Sequence, residues 1–184
     1  MTREELEHAI RAACDVAGDE AVYVFGSQAI LGQYPEAPAA LRQSVEVDVA
    51  PRTRLDRVDA IDRSLGELSL FHQTFGFYVH GLSIEAACLP PGWRERVIPV
   101  RDDVGTNGKT GLCLEGHDLA ASKLAAFRDK DRDFVRVLLV ERLITAALLI
   151  DRLRALELPV NERERRVEWV RLTARGLRPP RRRR

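Results

Sequence analysis

Residues 44–49, Ser-Val-Glu-Val-Asp-Val, alternate strictly, and this alternation limits the possible folds more than any other stretch of the chain. Successive side chains of a strand point to opposite faces. Val45, Val47 and Val49 therefore turn toward a core, while Ser44, Glu46 and Asp48 share the other face. Such a strand is half-buried and needs partners. Residues 22–25, a β-branched and aromatic run, supply one. Residues 75–79 and 84–88 read as two more, joined as a hairpin around Gly81, and residues 97–100 and 112–114 as short additions.

Helical periodicity frames this sheet. Leu6, Ala9, Ile10, Ala13, Val16 and Ala17 predict an amphipathic helix over residues 3–17, ended by Gly18-Asp19. Gln28 to Gly32 allows one or two helical turns, and residues 33–43 read as a loop with a short helical piece. Leu55, Val58, Ile61, Leu65 and Leu68 mark a second helix. From His117 the character changes, with stripes through Leu124, Phe134 and Leu138, an apolar stretch LITAALLIDRL, and a charged helix over residues 161–175. The fold class expected is α+β. Residues 1–116 form the sheet-bearing core, and residues 117–184 a helical carboxyl-terminal part with a basic tail.

Composition narrows the function classes. Hydrophobic residues at 45% and charged residues at 31% suit a soluble domain, and no apolar run approaches the roughly 18 residues of a membrane span. The start, MTREELEHAI, lacks the pattern of a secretory signal, so a cytoplasmic protein without a membrane partner is expected. Cys14, Cys88 and Cys113 are scattered, and the four histidines lack ligand spacing, which argues against a zinc site or disulfide framework. Net charge is only +1, yet the stretch from Arg171 to Arg184 is rich in arginine and free of acid. Such a tail either contacts nucleic-acid phosphates or is simply solvated.

Two constellations carry chemistry. In the first, the strand at 22–25 runs into Gly26-Ser27. Glycine lets a phosphate approach the backbone closely, and the hydroxyl and free N–H groups of a helix start favour an anion. Glu46 and Asp48, at i and i+2 on one face, can reach a common cation such as magnesium, which takes carboxylates together with substrate phosphates. In the second, Asp118 opens or caps a helix, and Lys123 lies among alanines where its ammonium can meet a phosphate. Asp131 falls on an apolar stripe and so needs Lys123 or Arg128 as partner; the run RDKDRD also suits ordinary helix-surface ion pairs.

Gly26-Ser27, Glu46-Val47-Asp48 and Lys123-Leu124-Ala125-Ala126-Phe127-Arg128, followed by Asp131 or Asp133, resemble the motifs of the AbiEii-type abortive-infection toxins and the related mycobacterial MenT nucleotidyltransferases. The resemblance covers roughly residues 20–140. It implies a polymerase-β-like core that moves a nucleoside monophosphate from a nucleoside triphosphate, with a pyrimidine nucleotide as the expected donor, to RNA, chiefly the transfer-RNA 3′ end. A cognate antitoxin would silence it. Glu46 and Asp48 would hold Mg²⁺, and Gly26, Ser27, Lys123 and Arg128 would bind the nucleotide. Asp131 or Asp133 would position Lys123 or the nucleotide. A protein or small-molecule acceptor, or a non-catalytic RNA-binding relative, are the other readings. The segment from Ser27 to Glu46 is longer than the family's usual spacing. A third carboxylate is expected on the following strand, yet FGFYVH ends in His80 and Glu85 is the nearest acid.

Overall fold

The computed structural model describes residues 1–177. Helix α1 (Arg3–Ala17) matches the periodicity because both its ends are specified locally. Thr2 and Glu5 form a reciprocal capping box, and Gly18 closes the helix at φ 65°. Its buried face, Leu6, Ala9, Ile10, Ala13, Cys14 and Ala17, lies on a five-stranded sheet. The strands are β1 (Ala21–Phe25), β2 (Glu46–Pro51), β3 (Tyr78–Gly81), β4 (Ile98–Val100) and β5 (Thr110–Cys113), in spatial order β3-β2-β1-β5-β4. The pairs β1/β2 and β4/β5 are antiparallel; β1/β5 and β2/β3 are parallel. Between β1 and β2 stand a 3₁₀ turn (Ser27–Ala29), the short α2 (Ile30–Gln33) and a second 3₁₀ turn (Ala39–Leu41). Helices α3 (Val58–Leu65) and α4 (Leu70–Phe75) join β2 to β3, so the second helix is shorter than its apolar spacing suggests.

The expected hairpin around Gly81 is absent. Residues 84–88 hold a 3₁₀ turn, Ile84–Ala86, and β3 runs parallel to β2. Gly81 serves a different purpose: a Cβ there would lie 2.4 Å from the Val58 carbonyl oxygen and 3.1 Å from Ile61 Cβ. Its missing side chain lets α3 close on the sheet. The run at 84–88 satisfies strand composition, yet it turns after β3 and pairs with no strand among the described residues.

The carboxyl-terminal part is a helical layer: α5 (Gly116–Ala126), α6 (Asp129–Val140), α7 (Ala146–Arg154) and α8 (Val160–Gly176). Helix α5 is buried on most sides, which its small residues Ala120 and Ala121 permit. It stops at Phe127, in the left-handed region at φ 57°. The guanidiniums of Arg132, Arg165 and Arg166 lie about 5 Å from that ring, and Arg132 donates to the Phe127 carbonyl. These contacts offset the cost of an uncommon backbone conformation. The sharp α5–α6 joint brings Lys123 and Asp131 together. The basic tail expected from Arg171 enters α8 through Arg171 and Arg175; residues 178–184 lie outside the described residues. No helix among the described residues is long and apolar enough to cross a membrane.

Candidate active site

Phe25, the last residue of β1, pairs with Asp48 of β2, so the chain turns at Gly26 directly beside that acid. Gly26 has φ 78°, and a Cβ built on it would meet Asp48 Oδ2 at 2.0 Å. Both facts demand glycine. Ser27 begins the 3₁₀ turn, and Gln28 behind it donates to the Ser44 carbonyl at 3.0 Å, tying the turn to the approach of β2. The long segment between Ser27 and Glu46 thus folds back onto its own ends. Ser44 Oγ accepts from the Glu46 N–H at 3.1 Å.

On β2 the alternation holds as read, with Val47 and Val49 fully buried and Glu46 and Asp48 facing a cleft. Parallel pairing with β3 sets His80 opposite Asp48. Its Nδ1 lies 3.0 Å from Glu46 Oε1 and 3.4 Å from Asp48 Oδ1, and Nε2 lies 3.9 Å from Asp62 Oδ1 on α3. His80 occupies the place where a third carboxylate was expected. Glu85 does not: it bonds Ser83 in the exposed 3₁₀ turn. His80 was within reach of the sequence, because Phe77 and Val79 point inward and period-two parity sends Tyr78 and His80 outward. Spacing rules for histidine ligands could not find it, since its companions lie 32 and 34 residues away (80 − 48 and 80 − 46).

The opposite wall comes from α5 and α6. Lys123 is largely buried, its Nζ 3.7 Å from Asp131 Oδ1 and 4.7 Å from the Phe134 ring centroid. Asp131, 1% exposed, also receives Arg128 Nε at 2.7 Å. Both proposed partners of Asp131 are therefore engaged. Asp133 lies at the cleft rim and pairs with Arg136, and Arg132 pairs with Asp129, so the helix-surface reading of RDKDRD holds outside the Asp131 contact. Asp118 neither caps α5, a role Glu115 fills, nor faces the cleft; it is buried against Arg96 and Arg152.

The cleft between these walls measures about 990 Å³ and collects Gly26, Ser27, Glu46, Asp48, Lys123, Arg128, Asp131 and Asp133 on its surface. Its lining also includes the apolar side chains of Leu82, Ala87, Cys88 and Leu158. Burial first, and the Glu46 carboxylate second, push the Asp48 acid up to about 6; His80 and Lys123 pull it back. Burial lowers the Lys123 ammonium, with Asp131 and Asp48 opposing. The donor set fits a divalent cation. One ligand atom each from Glu46, Asp48 and His80 all lie within 4.8 Å of one another, and two crowded carboxylates gain from an added positive charge. Trp93, by contrast, packs edge-on to Tyr23 against the sheet.

A cation-ready acidic strand beside a glycine-serine turn, faced by a lysine, is an arrangement suited to a triphosphate. Comparison with curated proteins and with solved structures finds no match. A family model described as "nucleotidyltransferase of unknown function" (DUF6036) matches residues 4–172, across both the sheet and the helical layer. The chain belongs to this nucleotidyltransferase family.

Proposed function

We propose that the protein transfers a nucleoside monophosphate from a nucleoside triphosphate to RNA, at the 3′ end of transfer RNA, and acts in the cytoplasm as the toxin of a toxin–antitoxin pair. The observation that carries the transfer reaction is the meeting, across one cleft, of the Gly26-Ser27 turn, the Glu46/Asp48 pair and the Lys123–Asp131 pair. The narrower assignment rests on the order of these motifs, which is that of the AbiEii-type and MenT toxins.

In the reaction an acceptor hydroxyl oxygen forms a bond to the α-phosphorus. The α–β bridging P–O bond breaks, pyrophosphate leaves, and the hydroxyl proton passes to water at the cleft mouth. Ser27 donates to a phosphate oxygen, and the open backbone at Gly26 admits the chain of phosphates. Lys123, held by Asp131, presents a fixed positive charge to oxygens that gain negative charge, at no reorganisation cost. Arg128 shares Asp131 and lies on the same wall, placed to grip the outer phosphates. A divalent cation, magnesium on the resemblance, would be held by Glu46 and Asp48 with His80 and would screen the phosphates from the two carboxylates. The cleft volume lies at the upper end of the roughly 300–1,000 Å³ usual for small-molecule sites, leaving room for a nucleotide and the tip of an acceptor.

The test is incubation of pure protein with total transfer RNA, magnesium and each labelled nucleoside triphosphate in turn, beside Asp48→Ala. Label on RNA that disappears in the variant is expected. Label on protein or on a small molecule would replace the acceptor, and no label under any condition would leave a non-catalytic RNA binder.

A further inference from the structure

We propose that the cation centre is a mixed nitrogen–oxygen site, with His80 Nδ1 a ligand beside Glu46 and Asp48, and that it therefore prefers manganese(II) to magnesium. The inference rests on the cation-dependent reading of the cleft and adds which nitrogen of His80 binds and which ion the site prefers.

Three observations carry it. Strand register sets His80 and Asp48 side by side, and alternation puts Glu46 on the same face. The ring nitrogen turned to the acids is Nδ1, at 3.0 Å from one carboxylate and 3.4 Å from the other, and all three side chains are open to the cleft. The other nitrogen, Nε2, faces Asp62 at 3.9 Å. Without a metal the two acids draw a proton to Nδ1; a cation bound between them takes the place of that proton, and the ring keeps its remaining proton on Nε2, on the side of Asp62. A carboxylate on the far side of the ring is the usual companion of a metal-bound imidazole.

The ligand chemistry then selects the ion. Magnesium demands hard oxygen donors in a near-ideal octahedron and loses its waters reluctantly. Imidazole is a softer donor, and affinity for sites containing nitrogen rises along the first-row divalent ions. Manganese(II) keeps the oxygen-rich coordination that carboxylates and phosphates supply, and it also accepts one imidazole. With an acid at position 80 the donor set would be all oxygen and the advantage would vanish. Asp62 acts as a positioning residue, through the ring it orients.

Pulsed electron paramagnetic resonance of Mn²⁺ bound to the full chain tests the ligand directly. Nitrogen-14 modulation is expected, changing to the nitrogen-15 pattern when histidine alone is isotopically labelled; this needs no variant. Calorimetric titration should show manganese bound at least about tenfold more tightly than magnesium. His80→Asp should bring the two ions to near parity, and Asp62→Asn should weaken manganese by roughly tenfold or more. Thermal unfolding without metal checks that both variants fold. Manganese bound with no nitrogen modulation would overturn the proposal and make His80 a counter-ion of the two acids. So would equal affinities in the parent protein. Nitrogen-coupled manganese together with no nucleotide transfer would uphold the mixed site and overturn the transferase reading alone.

Discussion

Asp118 and Asp48 are both withdrawn from solvent, one on α5 in the helical layer and one on the cleft-facing side of β2. Asp118, wholly buried, takes two bonds from Arg96, at 2.8 and 3.1 Å. Arg152 Nε stands 3.0 Å from it, close enough for ion pairing though not aligned as a hydrogen bond. Two cations surround one anion, and the charge is settled within the chain. Asp48, with 22% of its side chain exposed, has Glu46 as a neighbour, and among the described residues it draws on His80 and on the more distant Lys123 and Arg128 rather than on an ion pair of its own. Buried charge answered by the chain is architecture. Buried charge left in excess is held in place for something that arrives, and the fold bears that excess until it does. Asp131 lies between these cases: it is answered by Lys123 and Arg128, and both of those remain at the cleft.

The contrast can be broken at either end. Asp48→Ala carries the largest expected effect, a loss of at least about 10³-fold in nucleotide transfer, measured by label incorporation. Asp118→Asn should leave the cleft intact but cost about 3 kcal/mol of stability in urea unfolding. This is the low end for a broken buried ion pair, because both arginines retain some contact with water. An Asp118→Asn protein as stable as its parent would dissolve the distinction. Gly26→Ala, forced into a positive φ with its Cβ against Asp48, should lower transfer by roughly 10²-fold at a stability cost of about 1–2 kcal/mol.

A smaller effect has the opposite sign to most core substitutions. Asp48→Asn should stabilise the metal-free protein at pH 7 by about 1–2 kcal/mol, since it removes an anion that burial and Glu46 disfavour. The same reasoning sets the pH dependence. A folded-state acid raised from 3.8 to about 6 contributes stability that is complete below 3.8 and lost as pH rises through 6. The unfolding midpoint of the metal-free parent should therefore fall between pH 4 and 7 relative to Asp48→Asn, by about the amount just given. A saturating divalent cation should reverse the fall, and its apparent affinity should weaken below pH 6 as the acid protonates. Curves for parent and variant that stay parallel from pH 4 to 7 would remove the claim of uncompensated charge.

Much of this was readable in residue order. The bounds of α1 follow from Thr2, Glu5 and Gly18, which act within a few residues of one another. The shared face of Glu46 and Asp48 follows from the pleat alone, and the need of Asp131 for a cation from its place on an apolar stripe. The misread segment, residues 84–88, failed because composition does not say whether a run of strand-forming residues will pair or turn. Likewise Gly81 looked like a turn and proved to be a close-packing position, a distinction made by α3 rather than by its neighbours in the chain.

Sequence by itself determined the local quantities: where the first helix starts and stops, and which side chains of β2 point together. Tertiary structure alone decided what meets them. Parallel pairing of β2 with β3 brought His80 to the acids across 32 residues (80 − 48), and the turn at Phe127 swung Asp131 onto Lys123. The physical reason is reach. Periodicity, caps and turns act through neighbouring bonds, whereas register between strands and the crossing of helices is set by how whole elements share one core.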